Sequence, residues 1–217
     1  MSQRFNDSLY ESLLITQEDF KTIEEINANG NSKFIGDLPR LTLVDSIHSG
    51  IEEFYRKSND GWGIKWEQEK YSSIGGNIQL AETRHLFADP KDNGIYYDET
   101  EEGSDLRYFH PFDFPTPESY VGFVIKPDTI YKSVYYMSIS DNSLRNLDLD
   151  FQGYTQMALE ARVFYYWQLV LLYYMNGKGI GEQETETFKT EMPKIFPDWT
   201  WENFIEKFES LRLSKEQ

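Results

Sequence analysis

Leu147-Asp-Leu-Asp-Phe-Gln-Gly-Tyr-Thr-Gln-Met-Ala-Leu-Glu-Ala-Arg-Val-Phe-Tyr-Tyr-Trp-Gln-Leu-Val-Leu-Leu-Tyr-Tyr174 reads as helix from its first turn to its last. Asp148 and Asp150 stand just before the pattern, as N-cap residues do, each able to accept a bond from an orphan backbone N–H. Phe151, Tyr154, Met157, Ala158, Ala161, Tyr165, Gln168, Leu169 and Leu172 then recur at three- and four-residue steps, which aligns them on one face. From Val163 onward almost every residue is apolar, so this half must be covered on several sides. Asn176 and Gly177 supply a left-handed stop. The apolar run from Val163 to Met175 falls short of the roughly 20 residues needed to cross a bilayer, and it contains Gln168. One long core helix is therefore expected here.

Upstream, Tyr120-Val-Gly-Phe-Val-Ile125 and Ile130 to Ile139 are rich in Val, Ile and Tyr and read as strands. Pro127-Asp128 between them is turn chemistry, which predicts an antiparallel pair. Trp62 to Glu67 and Ser72 to Leu80 read as short strands punctuated by glycine, and Ala81 to Phe87 as a brief helix closed by Asp89-Pro90. Asp37-Leu-Pro39 introduces a helix with Leu41, Val44, Ile47, Ile51, Phe54 and Tyr55 on one face, weakened but not interrupted at Gly50. Beyond the central stretch, Gly177 to Gly181 and the polar Glu182 to Lys189 read as a linker. Pro197-Asp-Trp-Thr starts a last helix with Trp201, Phe204, Ile205, Phe208 and Leu211 on one face. Strands in the middle and helices at both ends predict an α+β fold. Its central, mostly antiparallel sheet is packed by the long core helix and by flanking helices. Residues 1–40 read as a lead-in and residues 41–217 as a single domain with a C-terminal helical extension.

The charge balance narrows the function. Lys and Arg number 21 against 37 Asp and Glu, a formal net charge of −16. Nucleic acid and anionic membranes are poor partners for such a chain, since both are bound through cationic side chains. A basic protein is attracted and steered toward it; solubility alone is the plainer explanation of the acidity. There is no cysteine, which excludes a disulfide scaffold and fits a reducing compartment. The N-terminal residues show neither a secretion signal nor a membrane anchor, so the expected location is the cytoplasm.

Motifs for catalysis or cofactors fail one by one. Asp89-Pro-Lys-Asp-Asn-Gly94 imitates a calcium loop, but the alignment puts Lys91 at a ligand position and Thr100 where a bidentate Glu belongs. Gly177-Lys-Gly-Ile-Gly181 lacks the hydroxyl residue of a phosphate loop, and Glu182 replaces the third glycine of a dinucleotide fingerprint. His48, His85 and His110 have no zinc-ligand spacing. No Ser nucleophile elbow is present. Asp148 and Asp150 could form a carboxylate pair for glycoside hydrolysis, but helix capping accounts for them better. No catalytic residue, cofactor or metal site is predicted.

Residues 91–117 read as a long polar and aromatic loop, with Pro111, Pro115 and Pro117 excluding helix. At its heart lies Asp98-Glu-Thr-Glu-Glu-Gly-Ser-Asp105. A charge run is usually a solvated segment. Aromatic neighbours, however, are favoured binding anchors. The expected contact surface for a basic protein is Tyr96, Tyr97, Asp98, Glu99, Glu101, Glu102, Asp105 and Tyr108, with Phe109 beside them.

Ser133-Val-Tyr-Tyr136, a polar break and then Leu147-Asp-Leu-Asp-Phe-Gln-Gly-Tyr154 resemble the terminal strand and helix of the SUKH superfamily. That group includes proteins similar to the yeast cell-wall synthesis regulator. Gly75-Gly-Asn-Ile-Gln-Leu-Ala-Glu-Thr-Arg84 resembles the same family's glycine turn, strand and short helix. The likeness covers roughly residues 41–174; the first forty residues, the acidic loop and the last helix lie outside it. It implies an α+β domain without an active site. By the same likeness, bacterial members are immunity proteins that neutralise toxins, many of them nucleases. The alternatives are a scaffold in cell-envelope regulation and a hydrolase whose carboxylates come from distant loops.

Overall fold

The computed structural model describes residues 44–48, 50–57, 62–68, 71–82, 86–87 and 103–215. After a helical turn at Val44, the elements are α1 (Ile51–Lys57), β1 (Trp62–Gln68), β2 (Tyr71–Leu80) and a 3₁₀ turn (Asp105–Tyr108). Five strands follow: β3 (Phe109–Thr116), β4 (Ser119–Lys126), β5 (Thr129–Ile130), β6 (Tyr135–Ser138) and β7 (Ser143–Asn146). Four helices close the chain: α2 (Phe151–Glu160), α3 (Trp167–Asn176), α4 (Glu182–Ile195) and α5 (Trp201–Leu211). A last 3₁₀ turn spans Leu213–Lys215. The fold is α+β; among the described residues every strand pair is antiparallel, in the order β1-β2-β3-β4-β6-β7, and β5 hangs on β4.

Alternation along the strands sorts side chains to two faces. Phe112, Val121, Phe123 and Tyr136 join α1, α2, α3, α4 and α5 in one core. Val124, Phe109 and Met137 point the other way, into a smaller core capped by Leu106 of the 3₁₀ turn. Pro127-Asp128 forms the predicted tight turn, pairing Ile125 with Ile130 and Lys126 with Thr129.

The single central helix is in fact two. Arg162, Val163 and Tyr166 take φ values of 52°, 48° and 64°, and between them Phe164 forms an isolated antiparallel bridge with Gly76 of β2. The Asn77 N–H donates to Val163 O and the Tyr165 N–H to Gly75 O, each at 2.8 Å. The Trp66 indole N–H secures the same bend on Arg162 O at 2.7 Å. Val-Phe-Tyr-Tyr is a strand-favouring run lying in phase with the helical stripe, so periodicity alone hid the break. The close approach requires Gly75 and Gly76. A Cβ at Gly75 would lie 2.6 Å from Trp66 O and 2.7 Å from a Tyr165 ring carbon.

Other expectations change as well. Gly50, at φ 82°, separates the turn at Val44 from α1 and interrupts the expected helix. Residues 130–139 split into β5 and β6, and the polar break after Ser138 is a hairpin to β7. The end of the expected long loop is β3. It tolerates Pro111 and Pro115 because its pairing is irregular: the register shifts twice against β4, and only Leu80 pairs with it from β2. The expected linker is α4, with Thr185, Phe188, Met192 and Ile195 buried at helical spacing. Gly75 and Gly76 lie inside a strand rather than at a turn. Ala81 and Glu82 precede the brief helix, residues 83–85 lie outside the described residues, and Leu86 is helical, its N–H donating back to Glu82 O at 3.2 Å. The lead-in and residues 88–102 also lie outside the described residues.

Candidate functional site

Of the predicted contact residues, Tyr96, Tyr97, Asp98, Glu99, Glu101 and Glu102 lie outside the described residues. Asp105 and Tyr108 sit together in the 3₁₀ turn that Ser104 caps. Both are tied to β4. Lys126 reaches Asp105 at 2.5 Å, and its ammonium lies 6.0 Å from the Tyr108 ring centre and 5.2 Å from that of Tyr131. The hydrogen bonds to Asp105 and Tyr131 hold the Lys126 ammonium above its ordinary pKa. Tyr108, Tyr120, Tyr131 and Tyr135 pack half-buried around the small core. These two residues therefore anchor the end of the acidic stretch to the sheet.

The carboxylates considered for catalysis have structural partners. Asp150 caps α2 through the Gly153 N–H at 2.7 Å. Asp148 does not cap it. At φ 58° it instead accepts Arg212 Nε at 2.6 Å, the Ser214 hydroxyl at 2.6 Å and the Ser214 N–H at 3.0 Å. Asp113 is fully buried, accepting the Tyr154 hydroxyl and, at 2.8 Å, the Gln79 N–H. Gln168 donates to the Tyr154 hydroxyl at 2.9 Å. Burial pushes the Asp113 carboxyl up to about 6, against the pull of those hydrogen bonds. A closed network without solvent access orients core side chains and offers a substrate no approach. His48 is a buried core residue. Its ring lies 4.6 Å from Phe123, with Nε2 2.8 Å from Tyr131 O.

A second acidic and aromatic surface is formed where sequence reading saw helix interior and linker. The bend between α2 and α3 brings Tyr165 and Tyr166 out beside the β3–β4 turn and the start of α4. The Tyr165 hydroxyl donates to Glu67 at 3.1 Å. The Tyr166 hydroxyl lies within the field of the Glu118 and Glu184 carboxylates. Burial first, and then these two charges, raise its pKa. Tyr173 of α3 lies likewise within the field of Glu182 and Glu186.

Two cavities adjoin at this point. One, of about 650 Å³, lies over β1, β2 and the β3–β4 turn, with Phe114, Tyr120, Tyr165 and Tyr166 as its aromatic walls. The other, of about 580 Å³, lies between β6, β7 and the start of α4, among Tyr136, Asp141, Leu169, Ile180, Glu182 and Glu184. Both volumes lie within the range of ligand-sized clefts. They adjoin at the β3–β4 turn: Pro117 lines the larger, and the Ile139 N–H, between Ser138 and Ser140 of the smaller, donates to Glu118 O at 3.0 Å. A doublet of tyrosines at a chain bend was the available sequence signal, but it was absorbed into a helical stripe.

Among the described residues, no group of three or more His, Asp or Glu side chains is placed to hold a metal ion. No described helix is long and apolar enough to cross a membrane. Comparison with protein-family models, with curated proteins and with solved structures finds no match for this chain.

Proposed function

We propose that the chain is a non-catalytic, protein-binding inhibitor of the immunity type, a SUKH-like cytoplasmic domain that captures and neutralises a basic, nuclease-type toxin. The observation that carries this reading is the −16 net charge combined with tyrosines held among glutamates at the surface. Complementary potentials speed capture of a basic partner and exclude wrong ones. Tyrosine supplies large contact area at low conformational cost. The acidic stretch at Asp98–Asp105 belongs to the same proposed interface. Its end, at Asp105 and Tyr108, is fixed to β4.

The test is affinity capture from lysate of the source cell at low and high salt, followed by an activity assay of the captured protein. The expected result is one basic protein, held more weakly at high salt, whose nuclease activity or toxicity is abolished by one equivalent of this chain. Failure to capture a basic protein, or capture of one whose activity is unaffected, rejects the reading. A stable complex with an enzyme of wall synthesis instead establishes the scaffold alternative.

A further inference from the structure

We propose that the surface around Tyr166, from Glu118 at the β3–β4 turn to Glu182 and Glu184 at the start of α4, docks an extended, arginine-rich segment of a basic partner. This rests on the reading that the chain captures a basic protein, and it names the residues around Tyr166, rather than the acidic stretch at Asp98–Asp105, as those that hold the segment. Three features select the occupant.

The first is charge. Glu118, at the β3–β4 turn, and Glu182, Glu184 and Glu186, of α4, come from two separate elements, and their charges bear on the hydroxyls of Tyr166 or Tyr173. The cations that line the two cavities are already engaged: Arg145 by Asp141, and Lys65 by Glu67 at 2.7 Å. Lys178, in the neighbouring glycine loop, lines neither cavity. The surplus at the cavity mouths is therefore negative.

The second is ring chemistry. Tyr165, Tyr166, Phe114 and Tyr120 present aromatic walls beside those carboxylates. A guanidinium satisfies both at once, stacking on a ring face while forking onto a carboxylate, whereas an ammonium is a more strongly hydrated point charge. The molecule already places cations over its own rings, with Lys189 4.2 Å from the Trp201 ring centre.

The third is shape. Two cavities of about 580 and 650 Å³ adjoin at Glu118 and Ile139 rather than forming one deep pit. An extended segment crossing that ridge sends successive side chains to either side of it. Ile180, 43% exposed on the rim of the smaller cavity, is apolar cover for an arginine stem.

The test uses a fluorescent peptide of alternating arginine and serine, with its lysine counterpart, in anisotropy titrations against the full chain. Two double variants change the net charge equally: Glu118→Lys with Glu184→Lys on the proposed surface, and Glu202→Lys with Glu206→Lys on the exposed face of α5. Tyr166→Asn removes the ring while keeping a side chain that tolerates the positive φ. The expected result is a loss of at least about tenfold in affinity from the first pair and a change of less than about twofold from the second. Tyr166→Asn is expected to weaken the arginine peptide more than the lysine peptide. Equal losses from both pairs, or no binding, overturn the proposal. If a basic partner is captured from lysate and only Glu99, Glu101 and Glu102 reversals release it, this surface is rejected while the inhibitor reading stands. If no basic partner is captured, the inhibitor reading falls and the peptide titrations still decide the surface.

Discussion

Tyr154 donates its hydroxyl hydrogen to Asp113 in a core site closed to solvent, so a carboxylate from β3 and a phenol from α2 are locked together. Burial raises the Asp113 carboxyl from an ordinary 3.8 to about 6. A carboxyl with a raised folded pKa binds more protons in the native state than in the unfolded one between those values. Stability from this group is therefore greatest below about pH 4 and is lost as pH rises through about 6. Two units correspond to about 3 kcal/mol. Asp113→Asn should remove this dependence. Urea denaturation of both proteins at several pH values between 4 and 7 is expected to show wild type losing about that much relative to the variant as pH rises. Parallel curves would refute the assignment.

Gly76 faces the carbonyl of Val163 and the indole nitrogen of Trp66, and a Cβ there would press into both. Gly76→Ala should cost about 2–3 kcal/mol by overpacking. Gly103 has φ 91° but open space around it, so Gly103→Ala carries only backbone strain, about 1–2 kcal/mol. Denaturation midpoints of the two variants check the order, and a reversed order would mean that the bend at Val163 yields easily.

The contrast between these glycines shows what could be read from sequence. Local chemistry was legible: Asp150 and Thr200 cap their helices, Gly177 ends α3 at φ 68°, and Pro127-Asp128 turns β4 into β5. Features set by distant partners were not. The break at Arg162–Tyr166 depends on Gly75, Gly76 and Trp66, which lie far upstream, while the local stripe continued in phase. The polar composition of α4 masked a buried stripe that begins with Thr185. The prolines of β3 pointed to a loop because the irregular pairing that tolerates them is a property of the sheet. The candidate site divided in the same way. An acidic run with tyrosines is visible in the sequence, whereas Tyr166 meets Glu118 and Glu184 only once the bend has formed.

Asp148 fastens the C-terminal turn to the entrance of α2 through Arg212 and Ser214. Burial alone would raise its pKa, but the hydrogen bonds from Ser214 and Arg212 outweigh it and hold the carboxyl below its ordinary value. Its contribution is present above the unfolded pKa and is lost as pH falls through the lower folded value. Arg212→Ala should cost about 1–2 kcal/mol, discounted for partial exposure, by removing a charge-assisted bond. Amide exchange at Ser214 should accelerate more than at Phe204 in the middle of α5. Unchanged exchange at Ser214 would show that Leu213–Lys215 is held by other contacts.

His48 opposes Asp113. Burial lowers its imidazole to about 4, against the raising effects of the Tyr131 carbonyl and Asp150, so it is neutral at pH 7. A depressed folded pKa means that the unfolded chain takes up the proton first. Stability is then fully present above about 6.5 and is lost as pH falls toward 4. The drop of about 2.5 units corresponds to about 3 kcal/mol. Across pH 4–6, Asp113 therefore contributes stability on acidification while His48 withdraws it, and these two contributions nearly cancel. His48→Gln should leave the Asp113 slope exposed, making the variant gain stability on acidification relative to wild type. Asp113→Asn should do the opposite, and the double variant should follow the wild-type slope. Matching slopes in wild type and both single variants would mean that neither group changes its pKa on folding.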